Sequence, residues 1–375
     1  MNEDRAFIIP NEPVRVQTKE DIDLILAHCC DLNASDITIQ TGEVIYAEIY
    51  GKLQRITNRV LSNNEVGQLL NSIYGPNGTT QLLTGIDIDT QYEFRPNRYM
   101  RFRFRVNGTA CLINGHDGIQ ITLRSIPTDP PELKTLDLPE NIIQSIKPQD
   151  GVVYVTGTTG SGKSTLLASI IRDIVEDPES NRKVLTYEAP IEFVFDNVNK
   201  PTSIVSQSEV PKHIPSFAAG VRNALRRKPR LILVGESRDS ETINAVLEAA
   251  LTGHPVYTTV HSNGVGETVR RLVSSFEQQE RYAKSIDIIE TTRLIVWQML
   301  VPATNGQRVA LREYLALDQD IRDHLLSSDV DRVADVARQI VTDRNQTIVD
   351  DAKRRYDEGL ISERTLGLLE KGFST

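Results

Sequence analysis

The sequence predicts an α/β protein in two parts: a small α+β domain over residues 1–126 and a larger domain of alternating strands and helices over 143–315. A proline-rich linker over 127–142 separates them, and a polar helical region over 316–375 ends the chain. Three observations carry this. Before the linker, strand-like segments follow one another with few helices between them. Beyond it, strands and helices alternate, which implies a mostly parallel sheet. Inside that alternation lies Gly157-Thr158-Thr159-Gly160-Ser161-Gly162-Lys163-Ser164, a glycine, four free positions and Gly-Lys-Ser.

Composition sets the outer bounds. The chain has 375 residues, 39% hydrophobic and 25% charged, which is ordinary for a globular protein with two or three domains. The net charge of −9 argues against direct nucleic-acid binding and leaves room for a local basic patch. Cys29, Cys30 and Cys111 form no paired framework and no zinc spacing. Met1–Arg5 has no basic stretch before an apolar one, so no signal peptide is expected. The most apolar run, Leu294–Val301, is interrupted by Gln298 and is too short to cross a bilayer. A reducing cytoplasm is the simplest compartment.

In the first domain, Asp21–Cys30 reads as a helix with Ile22, Ile25 and Leu26 on one face. Ile37–Ile39 and Ile45–Tyr50 read as strands, and Glu65–Tyr74 as a second helix. Alternation over Met100–Val106 puts Arg101, Arg103 and Arg105 on one face and Phe102, Phe104 and Val106 on the other. Ile119–Leu123 is a further strand, followed by Arg124. The plainer reading of the arginines is a solvated strand face. The sharper one is that some of them reach a phosphate across a subunit boundary. Pro127-Thr128-Asp129-Pro130-Pro131 then stops regular structure.

In the second domain, Val152–Val155 is a buried strand, and Leu167, Ile170, Ile171 and Ile174 mark the helix after the glycine-rich turn. Strand, turn and helix are the context in which backbone N–H groups and a helix N-terminus cradle phosphate. Lys163 would pair with the β/γ-phosphates and the Ser164 hydroxyl would sit on Mg²⁺, with Thr165 completing the loop. The motif says nucleotide without saying what the nucleotide drives. The strand Lys183–Tyr187 delivers Glu188 to Phe193 at its C-terminal end, where ligands of open α/β sheets bind. Glu192 there is either a water-polarising carboxylate or a surface acid. A helix over Phe217–Arg227 ends in Arg222, Arg226, Arg227, Lys228 and Arg230. The apolar run Leu231–Val234 closes on Gly235-Glu236, the acid expected opposite a phosphate loop. Asp239 caps a helix over Ser240–Leu251. The strand Val256–Val260 has His254 at its start and His261 at its end. Gln278–Leu300 reads as one helix, and a short strand-turn-strand surrounds Asn305-Gly306.

Four segments in fixed order complete the pattern: 157–164, 188–193, Gly235-Glu236-Ser237-Arg238-Asp239, and Thr252-Gly253-His254 with His261. Together they resemble the secretion superfamily of hexameric ATPases, in which they are called Walker A, Asp box, Walker B and His box. Ala34-Ser35-Asp36, Arg103-Phe104-Arg105-Val106-Asn107 and Arg124-Ser125-Ile126-Pro127 resemble the pilus-retraction (PilT-like) branch. The likeness runs to about Leu315. The four-cysteine zinc module of the assembly-motor branch is absent from the sequence.

The departures point within the branch. Glu188-Ala189-Pro190-Ile191-Glu192 stands where pilus motors usually read Glu-Asp-Pro-Ile-Glu, and Lys228-Pro229-Arg230 where they have Asp-Pro-Asp. These turn the resemblance from literal pilus retraction toward type IVB (Dot/Icm-like) protein secretion and conjugative transfer.

The resemblance implies a homohexamer that hydrolyses ATP with Mg²⁺, each subunit pairing a PAS-like domain with a RecA-like one. It implies phosphate and metal roles for Lys163 and Ser164, a base or water-positioning role for Glu192, and metal and water support from Glu236. His261 becomes a γ-phosphate sensor, and Arg101, Arg103, Arg105 and Arg124 supply the fingers. The implied setting is cytoplasmic, recruited to the inner membrane by secretion-complex proteins including other cytoplasmic ATPases.

Overall fold

The computed structural model describes residues 7–97, 100–126 and 129–373. Pro127 and Thr128 of the expected linker, and Met1–Arg5, lie outside the described residues. The chain divides into two units, 1–128 and 129–375.

The first unit begins with α1 (Lys19–Asp31), set by a capping box in which Thr18 and Asp21 satisfy each other's backbone N–H. Next come β1 (Asp36–Gln40), β2 (Tyr46–Ile49), β3 (Lys52–Arg55), α2 (Asn63–Tyr74) and α3 (Gly78–Leu83). The unit ends with β4 (Ile88–Asn97), β5 (Met100–Ile113) and β6 (His116–Ile126). Among the described residues the strands form a six-stranded sheet in the order β3-β2-β1-β6-β5-β4, antiparallel throughout. Two tight hairpins follow from turn chemistry. Tyr50-Gly51 joins β2 to β3 and Asn114-Gly115 joins β5 to β6, each pair with φ positive at both residues. The core gathers Ile22, Ile25, Leu26, Leu69, Phe104, Val106, Ile121 and Leu123 between the helices and one face of the sheet.

In the second unit a short 3₁₀ turn over Leu133–Leu136 precedes α4 (Glu140–Ser145), β7 (Gly151–Thr156), α5 (Lys163–Glu176), β8 (Lys183–Glu188) and β9 (Ile204–Glu209). Then come α6 (Phe217–Ala224), β10 (Leu231–Val234), α7 (Ser240–Leu251), β11 (Pro255–Val260), α8 (Val265–Ser274) and α9 (Arg281–Thr291). The unit closes with β12 (Thr292–Pro302), β13 (Arg308–Ala316), α10 (Gln319–Leu326), α11 (Val333–Asp343), α12 (Ile348–Asp357) and α13 (Glu363–Gly372). Among the described residues the second sheet has seven strands, in the order β13-β12-β7-β11-β10-β8-β9. It is parallel except for β13, which pairs antiparallel with β12. Alternate residues of β7 feed two different cores: Val152 and Tyr154 one, Val153 and Val155 the other. That is the signature of a strand covered on both faces.

One expectation is corrected here. The single helix over Gln278–Leu300 is a helix only to Thr291, and from Thr292 the chain is strand β12. Thr292, Ile295, Val296 and Trp297 are β-branched or aromatic and suit a pleated surface. The strand lies between β7 and β13 with Leu294 to Gln298 all buried, so it shows no alternation to betray it. The helix expected over Phe217–Arg227 likewise keeps its regular form only to Ala224.

Candidate functional site

The phosphate loop leaves β7 after Thr156 and enters α5 at Lys163. Its shape depends on glycine. Gly157, Gly160 and Gly162 have φ of 144°, 77° and 85°. A Cβ on Gly157 would lie 2.3 Å from the Gln298 carbonyl oxygen, closer than any side chain allows. Thr158, Thr159 and Gly160 are exposed, while Ser164 and Thr165 are half-buried on the first turn of α5.

Lys163 is buried, and its Nζ donates to the carbonyls of Gly157 at 2.9 Å and Thr158 at 2.8 Å. Burial draws its pKa down, and the charges of Glu236 and Glu192 work against that. The ammonium is thus held inside the loop with two carboxylates facing it. The buried Ser161 hydroxyl has no hydrogen-bond partner among the described residues.

Glu236 is fixed from both neighbours in the sheet. Gly235 N–H donates to the Tyr187 carbonyl at 2.7 Å, and Ser237 N–H donates to Thr259 at 2.9 Å. The Thr259 hydroxyl donates to the Gly235 carbonyl at 2.6 Å. His261, at the tip of the next strand, places Nε2 3.5 Å from a Glu236 carboxylate oxygen. Glu188 accepts from the Thr186 hydroxyl at 2.6 Å and the Gln207 amide at 3.1 Å. Glu192, four residues on, is exposed. Lys163, Glu192, Glu236 and His261 therefore gather at the C-terminal edge of the parallel strands. His254 sits at the other end of β11, where its Nδ1 lies 3.1 Å from the Thr252 hydroxyl. Asp239 caps α7 through the Thr242 N–H at 2.8 Å.

The four arginines belong to the first unit, and each meets an acid there. Arg101 bonds Glu93 at 2.6 Å, Arg105 bonds Asp89 at 2.7 Å and Arg124 bonds Asp36 at 2.8 Å. Arg103 is buried, bonded to Gln91 at 3.0 Å with Glu93 3.8 Å away, so it is no part of a solvated face. Arg105 and Arg124 are the exposed pair, lining one small pocket with Asp36, Asp89, Asn107 and Thr122. Of the basic cluster, Arg222 pairs with Glu241 at 2.8 Å and Arg227 bonds Ser206 at 3.1 Å.

The oxygens present suit a hard cation beside phosphate. Ser164 and Glu236 can each offer one, and among the described residues no group of three or more His, Cys, Asp or Glu stands ready to hold a metal alone. Mg²⁺ in phosphate sites is held in that way, through one or two protein oxygens together with the substrate. The thiols take no part: burial pushes Cys29 and Cys30 up to about 12. No helix among the described residues is long and apolar enough to cross a membrane.

The profile of the Type II/IV secretion system protein family matches residues 16–346. The chain belongs to this family. Within it, the chain is a PilT-like secretion ATPase close to DotB. The X-ray structure of the Legionella pneumophila ATPase DotB superposes with a TM-score of 0.87 at 62% identity, over 97% of this chain and 99% of that one. The crystal structure of the pilus retraction motor PilT with bound ADP gives a TM-score of 0.79 at 31% identity, covering 91% of this chain and 94% of that one. The type IV pilus retraction ATPase PilT of Pseudomonas aeruginosa is 31% identical over 345 residues, 91% of this chain and 96% of its own. Membership of this secretion ATPase family implies ATP hydrolysis as the shared chemistry.

Sequence reasoning missed several residues that shape the site. Gln207 and Thr186 hold Glu188. Glu313, whose pKa burial raises, accepts from the Val265 N–H at 2.7 Å and anchors the segment after His261. Gln298 and Arg312 stand behind the phosphate loop. The one visible signal was Gln298, a lone polar residue in an apolar run.

Proposed function

We propose that the protein is the subunit of a homohexameric ATPase ring, with a PAS-like N-terminal domain and a RecA-like core, whose ATP hydrolysis drives conformational work for type IVB protein secretion. The single observation that carries the secretion role is the 62% identity to DotB over 97% of the chain. ATP binds at 157–165, with Lys163 neutralising the β/γ-phosphates. When bound, Mg²⁺ would be held by Ser164 and Glu236 and would supply charge stabilisation at the transferring phosphoryl group. Glu192 orients or deprotonates the attacking water, and Glu236 fixes His261, whose ring senses the γ-phosphate. Arginines among Arg101, Arg103, Arg105 and Arg124 act as fingers between subunits. Arg105 and Arg124 are favoured by their exposure. Phosphoryl transfer needs mainly positioning and charge, which these groups supply.

The ring works in the cytoplasm, recruited to the inner membrane through secretion-complex proteins, and does not bind nucleic acid directly. A second reading, a pilus-retraction motor, draws on the 31% identity to PilT over 91% of the chain. A conjugative-transfer ATPase is the other alternative. Deleting the gene and assaying effector translocation and pilus-dependent motility separately divides them. Lost translocation that a Lys163→Gln copy fails to restore supports the secretion motor. Intact translocation with lost motility transfers the protein to the retraction reading.

A further inference from the structure

Gln298 is a buried amide within the apolar run Leu294–Val301 of β12. Its Nε2 donates to the Ser161 carbonyl at 2.7 Å, and its Oε1 accepts from Arg312 Nε at 2.9 Å. Arg312 lies directly across the β12–β13 ladder from it. The remaining guanidinium nitrogens donate to the backbone carbonyls of Leu136 at 3.1 Å and Asp137 at 3.3 Å. The Arg312 N–H donates to Asp351 on α12 at 2.8 Å. Arg355, also buried on α12, bonds the Asp137 carboxylate and, at 2.8 Å, its carbonyl. A continuous set of bonds thus runs from the phosphate loop through two strands to the 136–137 segment and α12.

Two physical points give this chain a role. An amide has one donor end and one acceptor end. Because Arg312 can only donate, it claims Oε1 and leaves Nε2 facing Ser161. A peptide unit is planar and trans, so its C=O and N–H point in opposite directions. Drawing the Ser161 carbonyl toward β12 therefore turns the Gly162 N–H away from β12, toward the loop interior. Burial pulls the Arg312 guanidinium down to about 10, with Asp351 opposing. A buried cation of this kind is weak support for stability.

We propose that Gln298, oriented by Arg312, is a positioning residue for phosphate binding: it sets the Ser161–Gly162 peptide so that the Gly162 N–H meets the anion. This rests on the reading of 157–165 as the ATP site.

The test uses the full chain, a fluorescent ADP analogue for Kd, steady-state ATP hydrolysis for KM and kcat, and thermal unfolding. Gln298→Glu keeps the pairing with Arg312 but cannot donate to Ser161. The expected result is a rise of about tenfold in Kd and KM, the equivalent of one oriented hydrogen bond, with kcat within about threefold and Tm little changed. The double variant Gln298→Leu with Arg312→Met removes the buried charge, and its expected result is a retained fold with the same weakened binding. Wild-type Kd and KM in either folded variant overturn the proposal, as does a lowered Tm without any change in Kd. Lys163→Gln separates the two layers. If it loses ADP binding while the Gln298 variants keep theirs, the positioning role alone falls. If it too binds normally, the ATP-site reading falls with it.

Discussion

The two sheets place charge differently. In the seven-stranded sheet β7, β10 and β11 are buried from end to end, and the ionisable groups that converge on the loop sit at or beyond their tips. In the six-stranded sheet, Arg101, Arg103 and Arg105 lie along the length of β5, answered by Asp89, Gln91 and Glu93 on β4. A strand with helices on both faces has no room for a mid-length charge, so its chemistry moves to the ends. A strand with only one covered face can carry charge anywhere along the other. A substitution at the strand tips of the second unit should therefore act on turnover, one on its covered faces on stability, and one on β5 should cost the fold little.

Lys163→Gln should cut ATP turnover by about 10³-fold or more, with the far-UV circular dichroism unchanged. Residual turnover near wild type would mean that the strand tips are not where the chemistry lies. Gly157→Ala should follow, because its φ of 144° and the Gln298 carbonyl 2.3 Å from the new Cβ both forbid a side chain. Nucleotide binding should be lost and the unit destabilised by about 3 kcal/mol, readable by denaturant titration. Gly220→Ala tests the covered face away from the tips. The added Cβ would fall 2.6 Å from the Tyr187 ring, and a loss of about 1–3 kcal/mol is expected as the ring shifts.

In the first unit Glu65 offers a pH test. Burial opposes its charge, but Arg59, the Ser62 N–H and hydroxyl and the Val16 N–H outweigh it and hold the carboxyl at about 2. A folded pKa below the unfolded 4.5 stabilises above pH 4.5, and that support is lost as pH falls from 4.5 toward 2. Glu65→Gln should be clearly weaker at pH 6 in chemical denaturation, and its gap from wild type should narrow by pH 3. A constant gap would show that the charge contributes nothing. The smallest effect belongs to Arg105→Ala, whose pair with Asp89 is about half exposed on both sides. It should change stability by about 0.5 kcal/mol or less. A large loss of stability there would erase the contrast between the sheets, while a loss of hexamer turnover alone would support Arg105 as a finger between subunits.

The same contrast decides what the sequence discloses. Val152–Val155 and Leu231–Val234 are visible as apolar runs and Val256–Val260 as a β-branched and aromatic one, and each points to an acid, a histidine or a phosphate loop at its end. β12 is no less apolar but follows a helix without a break, and continuous burial leaves no period by which to separate strand from helix. Missing β12 also hid what stands behind the loop, since Gln298 and Arg312 face each other only once the β12–β13 register is known. In the first unit β4 went unread. Without it the arginines of β5 looked solvated, although Asp89, Gln91 and Glu93 alternate with apolar residues as the partner strand requires. The Asn114-Gly115 turn also went unread, although its two residues carry the hairpin chemistry that the positive φ values require.

The bond from Gln298 to Ser161 spans 137 residues of sequence. At about 5–20 residues per second, a ribosome needs roughly 7–27 s to make that stretch after the glycine-rich loop has been made. Throughout that interval the nascent chain carries a complete phosphate-binding signature without the amide that holds the Ser161 carbonyl. Arg312 and the helix bearing Asp351 and Arg355 come later still. The Ser161–Gly162 peptide thereby gains this support only after β12 and β13 have been made, late in the synthesis of the second unit.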